Sequence, residues 1–158
     1  MTGRIVQLAR SDGGAPKLAI DEAHAGPLGL AGDRQVHTKF HGGPERALCL
    51  FSLEVIEALR AEGHPISPGS TGENVTIEAI DWASLRSGRV RARGDEVGVE
   101  LTTQATPCRQ IAASFVDGRF ARLQAPGQMR WYCRVIEPGR LRVGMPVRVR
   151  VRRPTQLA

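Results

Sequence analysis

One cysteine stands where a turn of the chain could make it chemically active. Cys108 follows Thr106-Pro107 and precedes Arg109. Thr106 is a favourable N-cap and Pro107 suits the first helical position, so the pattern predicts a short helix that runs to about Phe115. Unpaired N–H groups in its first turn would favour a thiolate, which is both a nucleophile and a metal ligand. The alternative is that the cysteine is simply a small buried residue.

A long segment without periodicity is the second candidate for function. Between Ala25 and Arg46 the chain is rich in glycine and carries two prolines, two histidines and two arginines. A connection of this length inside a compact domain is usually functional or mobile. Its glycines would allow a ligand to come close to the backbone, and a surface loop without a ligand is the alternative.

An acid and an amide stand at the entrance to a predicted strand. Gly72, Glu73 and Asn74 precede an apolar run that begins at Val75. Such side chains could coordinate a ligand or could brace the turn, and local geometry favours the brace because short polar side chains commonly bond to nearby backbone.

Composition limits the class of protein. The 158 residues suit one domain, 1–158, and the three cysteines form no CxxC pair, so we expect free thiols and a cytoplasmic setting. No apolar run is long enough to span a membrane. The net charge of +6 could attract anions, yet aromatic residues make up only 4%. Without stacking residues, nucleic-acid binding is not expected.

The pattern of elements favours a mostly β (α+β) fold that resembles a barrel. Short strands recur at close spacing with turn residues between them, and only two or three short helices are predicted. The predicted strands are 3–9, 17–20, 47–51, one from 75, 90–93, 97–103, 131–136, 140–143 and 146–151, with Pro138-Gly139 as a hairpin turn between two of them and a helix over 53–62.

A set of motifs in fixed order resembles the MOSC domain. The motifs are GLAGDRQ (29–35), HGGPERAL (41–48), PGSTGENVTI (68–77), DWASLRSG (81–88), TPCRQI (106–111), RWYCRV (130–135) and PGRLRVGMPV (138–147). The resemblance spans about residues 4–149 and leaves 150–158 as a C-terminal tail. It implies a strongly bent β-barrel with a few short helices, of the small stand-alone bacterial type.

The resemblance also implies a site for the molybdenum cofactor. In MOSC relatives that reduce N-hydroxylated compounds, the cysteine equivalent to Cys108 ligates molybdenum, and in the sulfurase branch it has been proposed to carry sulfur. Those larger proteins have an added N-terminal β-barrel or a pyridoxal-phosphate domain. Neither is recognisable in these 158 residues, so pyridoxal phosphate is not expected here, and we expect a separate redox or sulfur-donor protein and a small-molecule substrate.

The resemblance assigns further residues to this cofactor. Three arginines could bind its phosphate through bidentate hydrogen bonds, and three glycines could let its pterin approach the backbone. An acid–amide pair could hold the pterin edge, and one histidine is either a supporting donor or a loop brace. The arginines are Arg34, Arg46 and Arg109, and the glycines are Gly42, Gly43 and Gly72. The acid–amide pair is Glu73 and Asn74, and the histidine is His41.

Three classes of function remain open from the sequence. The first is a molybdenum-cofactor protein that acts through Cys108, either in reduction of N-hydroxylated compounds or in sulfur transfer to a metal centre. The second is a non-catalytic carrier that holds the cofactor or another anion for a partner. The third is a basic nucleic-acid-binding domain, which charge alone supports.

Overall fold

A computed structural model describes the chain over residues 1–34, 43–88 and 90–151. Within these residues the chain forms short strands, one α-helix and several 3-10 helices. The strands are β1 (Thr2–Arg10), β2 (Leu18–Ile20), β3 (Glu22–Gly26), β4 (Gly29–Leu30), β5 (Leu48–Ser52), β6 (Val75–Glu78), β7 (Val90–Arg93), β8 (Gly98–Ala105), β9 (Arg130–Glu137), β10 (Gly139–Arg142) and β11 (Pro146–Val151); the helix is α1 (Leu53–Ala61). The 3-10 helices are Pro44–Arg46, Trp82–Ser84, Arg109–Ser114, Val116–Gly118 and Phe120–Gln124.

Seven strands close into a barrel. The order around the barrel is β1-β11-β7-β8-β9-β5-β6, and β6 pairs again with β1. The first and last strands close it, with Thr2 opposite Arg148 and Arg4 opposite Pro146. β2 pairs with the C-terminal end of β1, while β3, β4 and β10 form a separate small sheet. The expectation of a mostly β barrel with few short helices is therefore confirmed.

The one α-helix links two parallel strands. β5 and β6 run in the same direction, with Leu50 opposite Val75. Parallel neighbours need a crossover connection, and α1 begins that crossover. The helix starts where Ser52 accepts a hydrogen bond from the Val55 N–H at 3.2 Å, and it buries Ile56 and Leu59 against the core. The helix predicted over 53–62 is confirmed to within one residue.

Alternation along the strands builds the core. In β11, Val147 and Val149 are buried while Arg148 and Arg150 face solvent. The basic run near the C-terminus is thus the solvent face of a half-buried strand, as the sequence predicts.

The small sheet corrects two parts of the sequence interpretation. The segment from Ala25 was expected to lack regular structure, yet β3 and β4 form there. Pro138-Gly139 was expected to join two paired strands, but β10 pairs with β3 instead of β9, with Leu141 opposite Ala23. β4 has only two residues, too few to show an alternating pattern, whereas β3 does alternate, with Ala23 and Ala25 buried.

The region after β8 also differs from its prediction. The helix expected to begin at Thr106 is a 3-10 helix over Arg109–Ser114, followed by two more 3-10 helices. Cys108 is therefore the N-cap residue, with extended backbone, and not a member of the first helical turn. 3-10 helices occur in short pieces because their hydrogen bonds are poorly aligned, which explains why the chain breaks into three of them.

Candidate functional site

Five segments of the chain meet around a small open pocket of about 40 Å³. They are the turn before β2, the middle of β5, the loop before β6, the segment that follows β8 and the start of β9. The lining residues are Gly14, Ala15, Lys17, Cys49, Thr71, Gly72, Thr106, Cys108, Gln110, Ile111, Arg130 and Tyr132. The sequence candidates Cys108 and Gly72 are among them.

Cys108 is the cysteine that solvent can reach. Its side chain is half-buried at the pocket, whereas Cys49 and Cys133 are buried. Burial raises the pKa of Cys49 to about 11, and it raises the pKa of Cys133 still further. Both buried thiols are thus held in the protonated form at neutral pH, and Cys108 is the thiol in a position to meet a ligand.

Glu73 lies wholly inside the protein and organises the loop before β6. Its carboxylate accepts hydrogen bonds from the Gly69 N–H and the Thr71 hydroxyl. Burial raises the pKa of Glu73, which opposes ionisation of this carboxyl. Gly69 has a φ of 86°, and a Cβ there would lie 2.7 Å from the Lys17 carbonyl oxygen. The turn therefore requires glycine, and Glu73 fixes its shape.

Asn74 connects β1, β5 and the segment that follows β4. Its Oδ1 accepts a hydrogen bond from the Cys49 N–H at 3.0 Å, and its Nδ2 donates to the Ala9 carbonyl at 3.2 Å and to Asp33 Oδ2 at 2.9 Å. Both donors and one lone pair of the amide are thus used by the protein. Glu73 and Asn74 adopt the bracing geometry, and contact of either side chain with a ligand stays a prediction.

Two buried cations of the pocket were not singled out from the sequence. Lys17 pairs with Asp33 at 2.6 Å, and both side chains are almost fully buried. Arg130 is 6% exposed, and its Nη1 donates to the Thr71 carbonyl. The sequence does contain one signal: Arg130 begins the run RWYC, whose four residues are all buried, so it is a charge inside an apolar stretch.

The predicted arginines occupy different positions. Arg46 is half-buried, with its guanidinium 5.3 Å from the centre of the Tyr132 ring, so it borders the pocket. Arg34 is 74% exposed and lies 4.0 Å from Asp12. Arg109 is exposed and does not line the pocket. The structure therefore places Arg46 against Tyr132, a residue of the pocket lining, whereas Arg34 and Arg109 face solvent.

The glycine candidates have mixed outcomes. Gly72 lines the pocket with a φ of 81°, and Gly43 is exposed with a φ of 79° just before the Pro44–Arg46 turn. Both adopt conformations that glycine favours. His41 and Gly42 lie outside the described residues.

A comparison with protein families decides the assignment. The family model described as the MOSC domain matches residues 37–148, which is well over half of the chain. The chain belongs to the MOSC domain family. The match includes β5 through most of β11 and the thiol at Cys108, so most of the barrel and the pocket fall within the MOSC domain.

Curated relatives of this MOSC domain come from bacteria and a fungus. It is 27% identical to YiiM of Escherichia coli over 137 residues and 31% identical to YflK of Bacillus subtilis over 115 residues. These alignments cover 83% and 72% of this chain, and 61% and 52% of the relatives, so the chain spans little more than half of their length. A protein named "Reductase" from Gibberella moniliformis is 27% identical over 130 residues, 76% of this chain and 23% of that protein.

Solved structures show the same fold. YuaD of Bacillus subtilis superposes with a TM-score of 0.77 at 20% identity, covering 97% of this chain and 98% of that one. YiiM of Escherichia coli superposes with a TM-score of 0.71 at 24% identity, covering 95% and 71%. Among the helices of the described residues, none has the length and apolar character needed to cross a membrane.

The pocket suits one end of a molybdenum cofactor, the group associated with this family. That group brings its own dithiolene sulfurs, so one protein sulfur can complete its attachment, and Cys108 places a sulfur at the pocket. In the described part of the chain no three His, Cys, Asp or Glu side chains cluster as a metal site. The buried cations fit an anionic group.

Proposed function

We propose that this chain is a molybdenum-cofactor protein whose Cys108 thiolate ligates the metal, and that it reduces small N-hydroxylated compounds. One observation carries the proposal: the half-buried thiol of Cys108 opens onto a pocket whose walls contain two buried cations. The fungal relative named "Reductase" supports a redox role. We also propose that residues 1–158 form one domain, since the first and last strands close the barrel.

Each side chain of the site has a proposed task. Cys108 supplies a soft sulfur ligand, and Arg46, stacked near Tyr132, supplies positive charge at the rim. Gly72 leaves the wall beside the thiol free of a side chain. Glu73 and Asn74 hold the loop before β6 so that these groups keep their places. When bound, the molybdenum centre would supply the two-electron redox chemistry.

The proposed reaction balances with an external electron donor. A substrate R–NH–OH takes up two electrons and two protons, its N–O bond breaks, and R–NH₂ and water leave. Neither electron comes from the side chains of the pocket, so we propose a separate redox protein as the donor. The substrate would enter from the exposed side of Cys108, because the other two thiols are enclosed.

The test is the molybdenum content of protein purified without oxygen from cells supplied with molybdate. We expect near-stoichiometric metal in the native chain and a loss of most of it in Cys108→Ser. Cys133→Ala is the matched control, because it removes a sulfur that does not line the pocket, and it should keep the metal. Equal metal in Cys108→Ser and the native chain would refute the ligand role. With metal bound, two-electron reduction of benzamidoxime by a chemical donor tests the substrate class.

Sulfur transfer is the second candidate, and the same pocket gives it a specific basis. A persulfide on Cys108 is an anion, and positive charge from Arg130 and Lys17 would stabilise it. Mass spectrometry of the intact chain separates the candidates: an added sulfur atom on Cys108 without metal favours sulfur transfer, and metal without added sulfur favours the reductase.

A further inference from the structure

Arg130 carries a buried N–H group that no protein atom satisfies. The residue is 6% exposed, and one of its terminal nitrogens donates to the Thr71 carbonyl. Its Nε is buried, yet it has no hydrogen-bond partner among the described residues. Most buried polar groups in folded proteins are paired, so this residue of the pocket lining keeps hydrogen-bonding capacity that the described part of the protein does not use.

The charge of Arg130 also lacks a direct counterion. Glu73 is a buried carboxyl in the loop before β6, and its oxygens accept hydrogen bonds from the Gly69 N–H and the Thr71 hydroxyl. The other buried carboxylate, Asp33, pairs with Lys17 at 2.6 Å. In the described part of the chain, no carboxylate oxygen lies within ion-pair distance of Arg130. Arg130 is therefore a buried cation of the pocket lining without an ion-pair partner of its own among the described residues.

We propose that this pocket binds a tetrahedral oxyanion, phosphate or sulfate in class, with the Arg130 guanidinium as its principal partner and Lys17 as a second positive charge. The pocket is open to solvent, so an ion can enter it from outside. Charge-assisted hydrogen bonds from a guanidinium are the strongest kind available to an oxyanion. Lys17 uses one of its three N–H bonds for Asp33, so the others are available on the pocket side.

This oxyanion subsite does not depend on the molybdenum proposal. It rests on Arg130, Lys17 and the pocket, and it would hold with any chemistry at Cys108. The oxyanion could be a free inorganic ion or the phosphate end of a larger molecule, of which a phosphorylated cofactor is one example. Both sources share the group that Arg130 recognises, so the experiment has to separate them.

The test is calorimetric titration of the full chain, prepared from molybdate-limited cells, with inorganic phosphate at constant ionic strength. We expect saturable binding, and a loss of affinity of about tenfold or more in Arg130→Met, because the variant removes a charge-assisted donor. Arg119→Gln removes the same charge from an exposed position outside the pocket lining, and it should change the affinity less than twofold, since exposed charges are well screened. Equal losses in both variants would overturn the proposal.

A second measurement uses the native chain alone, so that a folding defect of Arg130→Met does not decide the result. Iodoacetate is anionic and iodoacetamide is neutral, and both alkylate Cys108. We expect the rate with iodoacetate, divided by the rate with iodoacetamide, to be higher in the native chain than in the urea-unfolded chain. Phosphate should lower this native ratio to the unfolded value more effectively than chloride does. A native ratio no higher than the unfolded one, or an equal effect of the two salts, would contradict an oxyanion subsite.

Two competitors identify the source of the oxyanion. Competition by both inorganic phosphate and glycerol 3-phosphate supports a subsite for the phosphate end of a larger molecule. Competition by inorganic phosphate alone supports a free oxyanion. Competition by neither, at concentrations where chloride is also without effect, overturns the proposal. None of these results depends on the molybdenum content, so the two proposals fail separately.

Discussion

The inside of the barrel and the pocket are built on opposite principles. The barrel interior is lined by Ile5, Leu50, Ile77, Val99 and Val147, together with similar side chains, around a gap of only about 30 Å³. The pocket wall instead holds buried charge. Burial of apolar area stabilises the first region, whereas in the second region desolvation of the ions offsets most of their attraction. Because the buried ions of the pocket wall add little to stability, we infer that they serve ligand binding, whereas apolar packing alone indicates no such role.

The largest effect is expected from breaking the buried ion pair. Lys17→Met leaves Asp33 as an unpaired buried charge, and we expect the free energy of unfolding to fall by about 3–5 kcal/mol. Urea titration followed by circular dichroism measures it. Adding Asp33→Asn to Lys17→Met should recover part of the loss, because the stranded charge is gone. If the double variant is less stable than Lys17→Met, the loss comes from packing and the comparison with the barrel interior breaks down.

A truncation inside the barrel should cost slightly less and leave the pocket unchanged. Leu50 is 4% exposed and faces the apolar interior. Leu50→Ala removes buried methyl groups and leaves a cavity, so we expect a loss of about 3 kcal/mol. The phosphate affinity measured by calorimetry should stay within twofold of the native chain, since no charge has changed. A large change in that affinity would show that the two regions are coupled.

A smaller effect follows from the buried carboxyl of Glu73. Its pKa is raised by burial, so between the ordinary carboxyl range and the raised pKa the folded chain holds a proton that the unfolded chain has released. Stability should therefore decrease as the pH rises through that window. Glu73→Gln has no such proton, and its stability relative to the native chain should improve with rising pH. Urea midpoints measured at several pH values test this, and a difference that is independent of pH would contradict it.

The smallest perturbation is a label on a single thiol, with no expected change in the fold. With a pKa of about 11, roughly one Cys49 thiol in a thousand is ionised at pH 8, and the thiolate is the reactive form. Cys133 is fully buried and should react no faster. We expect iodoacetamide to label Cys108 first, as peptide mapping by mass spectrometry would show. Labelling of all three thiols at one common rate would mean that the pocket opens only by unfolding.

Sequence reasoning found the barrel because its strands carry local signals. The strand over 146–151 and the helix over 53–62 need no tertiary information, and the structure has a strand over Pro146–Val151 and a helix over Leu53–Ala61. The partner of β10 was predicted wrongly, because a Pro-Gly turn suggests a local hairpin while β3 is more than a hundred residues away. Pairing over such distances is decided by closure of the whole sheet, and no short window of sequence contains it.

The site was predictable to a smaller extent. Cys108 and Gly72, which line the pocket, were candidates because a thiol after proline and a glycine before an acid are recognisable locally. Lys17 and Arg130 were missed, because exposed cations are the usual case and burial is not visible in a residue type. Arg130 differs from the exposed Arg109 only in the apolar residues that follow it. The family motif gives the position of the thiol, whereas the surrounding charge emerges only from the fold.

The number of strands in the barrel has a geometric consequence. A closed ring of seven strands cannot alternate in direction all the way round, so an odd ring must contain a pair of neighbours that point the same way. Here that pair is β5 and β6. Beside it, the amide side chain of Asn74 stands in for a strand carbonyl and accepts the hydrogen bond of Cys49. The parallel pair that an odd number of strands requires thus lies beside the pocket. There a side chain, and not a strand carbonyl, accepts the hydrogen bond from the backbone.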